Sequence, residues 1–168
     1  MFENLGPETT SNNQKLRNGV SHRTAYFGYA QHKYPPTKLN LETTMNINLG
    51  IKGEESEVVR HDNTAAAYGS GLVEVYATPA MIALMEKTCY RSVMPYLSEG
   101  EGTVGTHINV AHKKASPLGT VITCRSEIVE IDRRRVVFKV EATDDKGEVI
   151  GDGTHERFVI NVEKFMSK

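Results

Sequence analysis

The stretch Ala77-Thr78-Pro79-Ala80-Met81-Ile82-Ala83-Leu84-Met85-Glu86-Lys87-Thr88-Cys89-Tyr90-Arg91-Ser92-Val93-Met94-Pro95 decides the fold. It predicts one long helix. Thr78 suits an N-cap and Pro79 the first helical position, where a missing N–H costs nothing. Pro95 marks the other end, near Met94. At 100° per residue, Met81, Ile82, Met85, Cys89, Val93 and Tyr96 form one broad apolar stripe. Lys87 and Arg91 fall on the opposite side. Glu86 lies at the edge of the stripe, beside Val93 and Ile82. A carboxylate there either reaches water or sits in a cleft, where desolvation would raise its pKa and make it a usable general base.

Four strand-like runs follow the helix, at about 103–113, 119–131, 134–143 and 148–162. The breaks Ser116-Pro117-Leu118-Gly119, Asp132-Arg133-Arg134 and Asp144-Asp145-Lys146-Gly147 carry turn residues and are short, which predicts an antiparallel meander. Val136, Phe138, Val140 and Ala142 share one face of their strand. Phe158, Ile160 and Val162 share a face of theirs, and His112 shares one with Val104, Ile108 and Val110. Before the helix, Met45-Asn46-Ile47-Asn48-Leu49-Gly50-Ile51 alternates like a first strand, and 56–60 reads as a second short one. One amphipathic helix and one sheet must cover each other's apolar faces. The pattern alone leaves other α+β folds open, but the economical solution is an antiparallel sheet wrapped around one long central helix over residues 45–168. That is the hotdog architecture.

Residues 1–44 show no sustained period of 2 or 3.6 and read as a leader, flexible or a start-site artefact. Four aromatics between Tyr26 and Tyr34 leave a partner-binding arm as the other option. Lys plus Arg is 20 against 21 Asp plus Glu, so the chain lacks the basic surface that broad nucleic-acid binding needs. No apolar run approaches the ~20 residues needed to cross a bilayer. Cys89 and Cys124 lie in apolar stretches, as expected for buried thiols in a reducing cytoplasm.

Three residues suggest chemistry. Glu86, His112 and Thr78 offer a carboxylate, an imidazole and a hydroxyl, which together can support acyl transfer as base, acid and nucleophile or water-orienting group. Each also has an ordinary reading: a boundary glutamate, a core-edge histidine and an N-cap. Gly100-Glu101-Gly102-Thr103-Val104-Gly105 matches G-x-G-x-x-G, but it follows a helix and precedes a strand, the reverse of a dinucleotide site. It reads as a turn between helix and strand, with Gly105 giving an acyl group close access to backbone. Arg133-Arg134-Arg135 reads as a solvated hairpin turn, with a CoA-phosphate contact as the other reading. The six histidines show no ligand spacing, so neither a metal nor another cofactor is expected.

The blocks Ala77–Glu86, Leu97–Gly105, His107–His112, Gly151–Arg157 and Glu163-Lys164-Phe165 resemble the fluoroacetyl-CoA thioesterase family of hotdog proteins, in order and at the family spacing. The resemblance covers about residues 58–168. It implies a homodimer, with a dimer of dimers left open, that hydrolyses acyl-CoA thioesters without a metal. It places the family's catalytic threonine on Thr78, its glutamate on Glu86 and its histidine on His112. It also places a substrate-pocket glycine on Gly105 and a substrate-linked arginine on Arg157. The fluoroacetyl-specific member lines its acyl pocket with phenylalanines near the helix start. Here that region reads Val73-Glu74-Val75-Tyr76 and Pro79-Ala80-Met81, so a broader or different short acyl group is expected. A non-catalytic acyl-CoA-binding protein and an enoyl-CoA hydratase are the competing functions on the same fold.

Overall fold

The computed structural model describes residues 46–167. The expectations for residues 1–44 and for Met45 lie outside them. The elements in chain order are β1 (Lys52–Val58), α1 (Ala65–Tyr68), α2 (Thr78–Val93), β2 (Glu101–His112), β3 (Val121–Asp132), β4 (Arg135–Thr143), β5 (Val149–Asn161) and α3 (Val162–Met166). All five strands form one antiparallel sheet in the order β1-β3-β4-β5-β2. The inner face of β4 is the centre of the core: Val136, Phe138, Val140 and Ala142 are buried as their alternation predicts. They face α2, whose Met81, Leu84, Met85, Cys89 and Val93 are also buried. Ile82 is only partly buried, and Tyr96, beyond the helix, is exposed.

The expected four-strand meander is corrected in one respect. β3, β4 and β5 are sequential neighbours, but β2 pairs with β5 and not with β3. The eight residues between β2 and β3 cross from one side of the sheet to the other. Lys113 N bonds Ile150 O at the start, Tyr76 N bonds Ser116 O midway, and Gly119 N bonds Val59 O at the end. Eight extended residues reach ~26 Å, ample for the three strand spacings of ~5 Å each that separate β2 from β3. A short link is therefore compatible with non-neighbouring strands.

The expected strands at 45–51 and 56–60 are replaced by one strand between and across them. Residues 46–48 carry no regular structure, and Leu49-Gly50 form a turn with Gly50 at φ 79°. β1 reads Lys-Gly-Glu-Glu-Ser-Glu-Val and has almost no apolar signal. Its partly buried positions are Gly53, Glu55 and Glu57, and each meets a specific partner. Glu55 binds Arg91 at 2.9 Å and Lys87 at 3.3 Å on α2. Glu57 accepts the Tyr76 hydroxyl proton at 2.5 Å. A Cβ on Gly53 would lie 2.7 Å from Ser92 Cβ and 2.9 Å from Thr88 O, so glycine lets the strand approach the helix.

A bulge in β2 governs the rest of the fold's chemistry. The β2–β5 register shifts between Gly105 and His107, leaving Thr106 unpaired in the ladder. An extra residue reverses which parity faces inward. Val104 pairs with Phe158, which is 41% exposed, so Val104 does not share the inner face with His112 as its spacing suggests. Gly105, of opposite parity, takes the inner face instead, opposite buried Arg157. The Phe158–Ile160 face of β5 is likewise the outer one, and Val162 belongs to α3.

Candidate active site

Thr78 is the first residue of α2, and the N-cap is Ala77, with φ −75° and ψ 141°, whose carbonyl accepts Met81 N. The sequence predicts Thr78 itself as the cap. Standing one residue further in, its hydroxyl is not committed to the helix and lies 2.9 Å from His112 Nδ1. His112 ends β2, on the inner face with Ile108 and Val110. The Tyr76 ring meets the imidazole edge-on, with centroids 6.5 Å apart. His112 Nε2 is buried and has no hydrogen-bond partner among the described residues. A buried polar atom without a partner is costly, and such atoms cluster at functional sites. Beside this pair is a cleft of about 350 Å³ lined by Tyr76, Thr78, His112, Lys113 and Ser70, among others.

Glu86 lies two turns along α2, and its side chain keeps 44% exposure. The carboxylate is set over Gly105: a Cβ there would overlap Glu86 Oε1 and lie 3.0 Å from His155 Cε1. Within this chain the group that approaches the Gly105 backbone is the Glu86 carboxylate.

Arg157 is 7% exposed, although arginine is rarely buried without partners. Its Nε donates to Thr103 Oγ1 at 2.9 Å and its Nη2 to Thr103 O at 3.0 Å. Its guanidinium carbon stands 5.8 Å from the Tyr90 ring centroid. Burial pulls its pKa down, and the field of Glu86 opposes that. The remaining donor, Nη1, points at His155 Nε2, 3.1 Å away.

His155 is the functional candidate that sequence reading passed over. It is 1% exposed, and its Nδ1 lies 2.8 Å from His107 O. A carbonyl can only accept, so Nδ1 carries the proton and Nε2 is the bare acceptor for Arg157. Burial holds its pKa below the ordinary histidine value, which keeps the ring neutral. Glu86 Oε1 is 3.5 Å from the same Nε2. A neutral ring with no proton on that atom makes no ion pair, so the positive charge facing Glu86 is that of Arg157. The missed signal was parity: β5 turns His155, Arg157 and Val159 inward while Phe158 faces out.

Within the single chain the residues form two groups. Thr78 joins His112, and Glu86 joins Gly105, His155 and Arg157. The two are linked through α2, on which Thr78 and Glu86 stand about 12 Å apart along the axis. Among the described residues, no group of three or more His, Cys, Asp or Glu side chains has an arrangement suited to a metal. No helix among them is long and apolar enough to cross a membrane.

A curled antiparallel sheet closed over one central helix, with polar groups gathered along that helix, is a hotdog fold of the thioesterase class. A family model described as fluoroacetyl-CoA-specific thioesterase, FlK, matches residues 59–163. The fluoroacetyl-CoA thioesterase of Streptantibioticus cattleyicolor is 43% identical over 112 residues, which are 67% of this chain and 80% of that protein. Among solved structures, the fluoroacetyl-CoA thioesterase FlK superposes with TM-score 0.67 at 38% identity, over 72% of this chain and 93% of that one. A mutant of FlK in complex with fluoroacetate and CoA gives 0.66 at 38% identity, over 71% and 99%. A thioesterase superfamily member from Thermus thermophilus gives 0.68 at 27% identity, over 72% and 89%. The chain belongs to the fluoroacetyl-CoA-specific thioesterase family and is an acyl-CoA thioester hydrolase.

Proposed function

We propose that the chain hydrolyses a short-chain or small acyl-CoA to free acid and CoA, using Thr78, Glu86 and His112. The observation that carries this reading is the Thr78–His112 pair at 2.9 Å beside the cleft, with His112 Nε2 buried and without a hydrogen-bond partner among the described residues. In this reading Glu86 attacks the thioester carbonyl or activates the water that does. His112 moves protons, delivering one to the departing CoA thiolate, and Thr78 orients the reacting groups. The first turn of α2 has backbone N–H groups without intrahelical acceptors, and these can receive the developing oxyanion. Gly105 and Arg157 shape and charge the substrate side of Glu86. No metal or cofactor is required by this chemistry.

The acyl group is proposed to be short but not restricted to fluoroacetyl. The segment Val73–Met81 supplies no phenylalanine to a fluorine-selective pocket, and Val73 is 59% exposed. The working unit is proposed to be a homodimer. β2 is an edge strand whose residues Gly105, Thr106 and His107 are exposed, and an unpaired edge is a surface for a second copy. A second copy there would stand beside Gly105 and the half-exposed Glu86. Two buried free thiols, Cys89 and Cys124, suit a reducing compartment such as the cytoplasm.

Thiol release from acetyl-, fluoroacetyl-, butyryl- and aromatic acyl-CoAs tests the reading. Release of one free thiol per acid formed, best with a small acyl group, is expected. Tight binding without thiol release would make the protein an acyl-CoA-binding module. Water addition to an unsaturated acyl-CoA without free thiol would make it a hydratase.

A further inference from the structure

We propose that His155 is a positioning residue for the thioester hydrolysis: its unprotonated Nε2 aims the Arg157 guanidinium so that a buried cation stands beside the Glu86 carboxylate. The inference rests on the reading of Glu86 as the reacting carboxylate.

The geometry is a relay across three elements. β2 provides His107 O, which fixes the His155 tautomer through Nδ1–H. β5 provides His155 and, two residues on, Arg157 on the same inner face, joined by Nη1 and Nε2 at 3.1 Å. α2 provides Glu86, 3.5 Å from His155 Nε2 and within the field of Arg157. Arg157 spends Nε and Nη2 on Thr103, so Nη1 is the end of the fork that His155 orients. An imidazole is suited to this place. It needs a donor at one ring nitrogen for the carbonyl and an acceptor at the other for a guanidinium, and only the Nδ1–H neutral tautomer has both.

The bulge at Thr106 belongs to the same device. It brings Gly105 to the inner face, and the space left by its missing side chain is shared by Glu86 Oε1 and the His155 ring. Carboxylate, imidazole and guanidinium are thus held in one layer against a glycine. Removing the acceptor at His155 would leave Arg157 Nη1 without a partner in a buried place and free to swing toward Glu86 Oε1 or away from it. A reacting carboxylate misplaced by about 1 Å can lose on the order of 10²-fold in rate.

The test compares His155→Leu and His155→Gln in the full chain with Glu86→Ala, in the same thiol-release assay, with circular dichroism for folding. His155→Leu removes the acceptor. His155→Gln keeps an amide oxygen to accept from Arg157 and an N–H to donate. The expected result is a kcat lower by about tenfold or more in His155→Leu, with KM within about threefold, and recovery to within about fivefold of wild type in His155→Gln. Nitrogen-15 NMR of the wild-type imidazoles should show one histidine as the neutral Nδ1–H tautomer at pH 7, lost in both variants. Wild-type kcat in folded His155→Leu, or an Nε2–H tautomer for His155, would overturn the proposal. The NMR result decides even if His155→Leu does not fold. Full activity in Glu86→Ala would instead overturn the assignment of Glu86, and this role for His155 with it.

Discussion

The Glu86 carboxylate occupies the space that a side chain at position 105 would fill. Helix and strand can approach there only because residue 105 is glycine and because the bulge at Thr106 turns it inward. Gly105→Ala must displace the carboxylate, and a flexible glutamate can yield at small cost to folding. The variant should stay folded, with its melting temperature within a few degrees, while kcat for acyl-CoA hydrolysis falls by about tenfold or more. Unchanged kcat would mean that Glu86 does not react from this position.

The Thr78 hydroxyl and His112 Nδ1 at 2.9 Å predict a graded result. Thr78→Val removes the hydroxyl and keeps the shape. It should lower kcat by about 10²-fold, the scale of a lost group in acid–base catalysis. Thr78→Ser should keep most of the activity, because the hydroxyl remains. Thr78 is not the N-cap, so neither change should cost the helix the ~1 kcal/mol of a lost cap. Equal loss in both variants, measured by steady-state kinetics, would point to a structural role.

Stability should fall on acidification through the histidine range. Burial holds the folded-state pKa of His155 below its ordinary value of 6.5. Between the two values the unfolded chain binds a proton that the folded chain refuses, so unfolding gains protons and stability rises with pH. The contribution of the neutral ring is complete above pH 6.5 and is lost as pH drops toward the lower folded value. His155→Gln cannot titrate and should flatten this part of the melting-temperature profile. A profile identical to wild type would show that His155 does not titrate in that window.

Gly53 sets how closely β1 lies against α2. The Cβ in Gly53→Ala would meet Thr88 O and Ser92 Cβ below 3.0 Å, and backbone cannot move aside cheaply. The variant should be less stable by ~1–3 kcal/mol, the usual cost of overpacking, read from a urea melt. A neutral change would mean that β1 lifts off the helix without loss.

The sequence showed α2 and β4 clearly because each buries an unbroken apolar periodicity, from Met81 to Val93 and from Val136 to Ala142. β1 was obscured because its inward positions are Gly53, Glu55 and Glu57, which are satisfied by Arg91, Lys87 and Tyr76 rather than by apolar contact. The β2–β5 pairing was obscured because a link of eight residues does not reveal which strand it skips. His155 was passed over for a related reason. β5 places Phe158 outward and the polar His155 and Arg157 inward, so apolar residues marked the wrong face. Glu86 stood out because it broke a helical stripe. Its neighbour Gly105 faces inward through a one-residue bulge, which carries no signature in composition or period.

Glu86 is proposed to carry out acyl-CoA hydrolysis on an intact hotdog scaffold. Glu86→Gln keeps the shape and the partial exposure of the side chain while removing its charge. Its kcat for thiol release should be lower than wild type by about 10²-fold or more, with an unchanged circular dichroism spectrum and melting temperature. A folded Glu86→Gln protein that hydrolyses the best acyl-CoA at the wild-type rate would contradict the account.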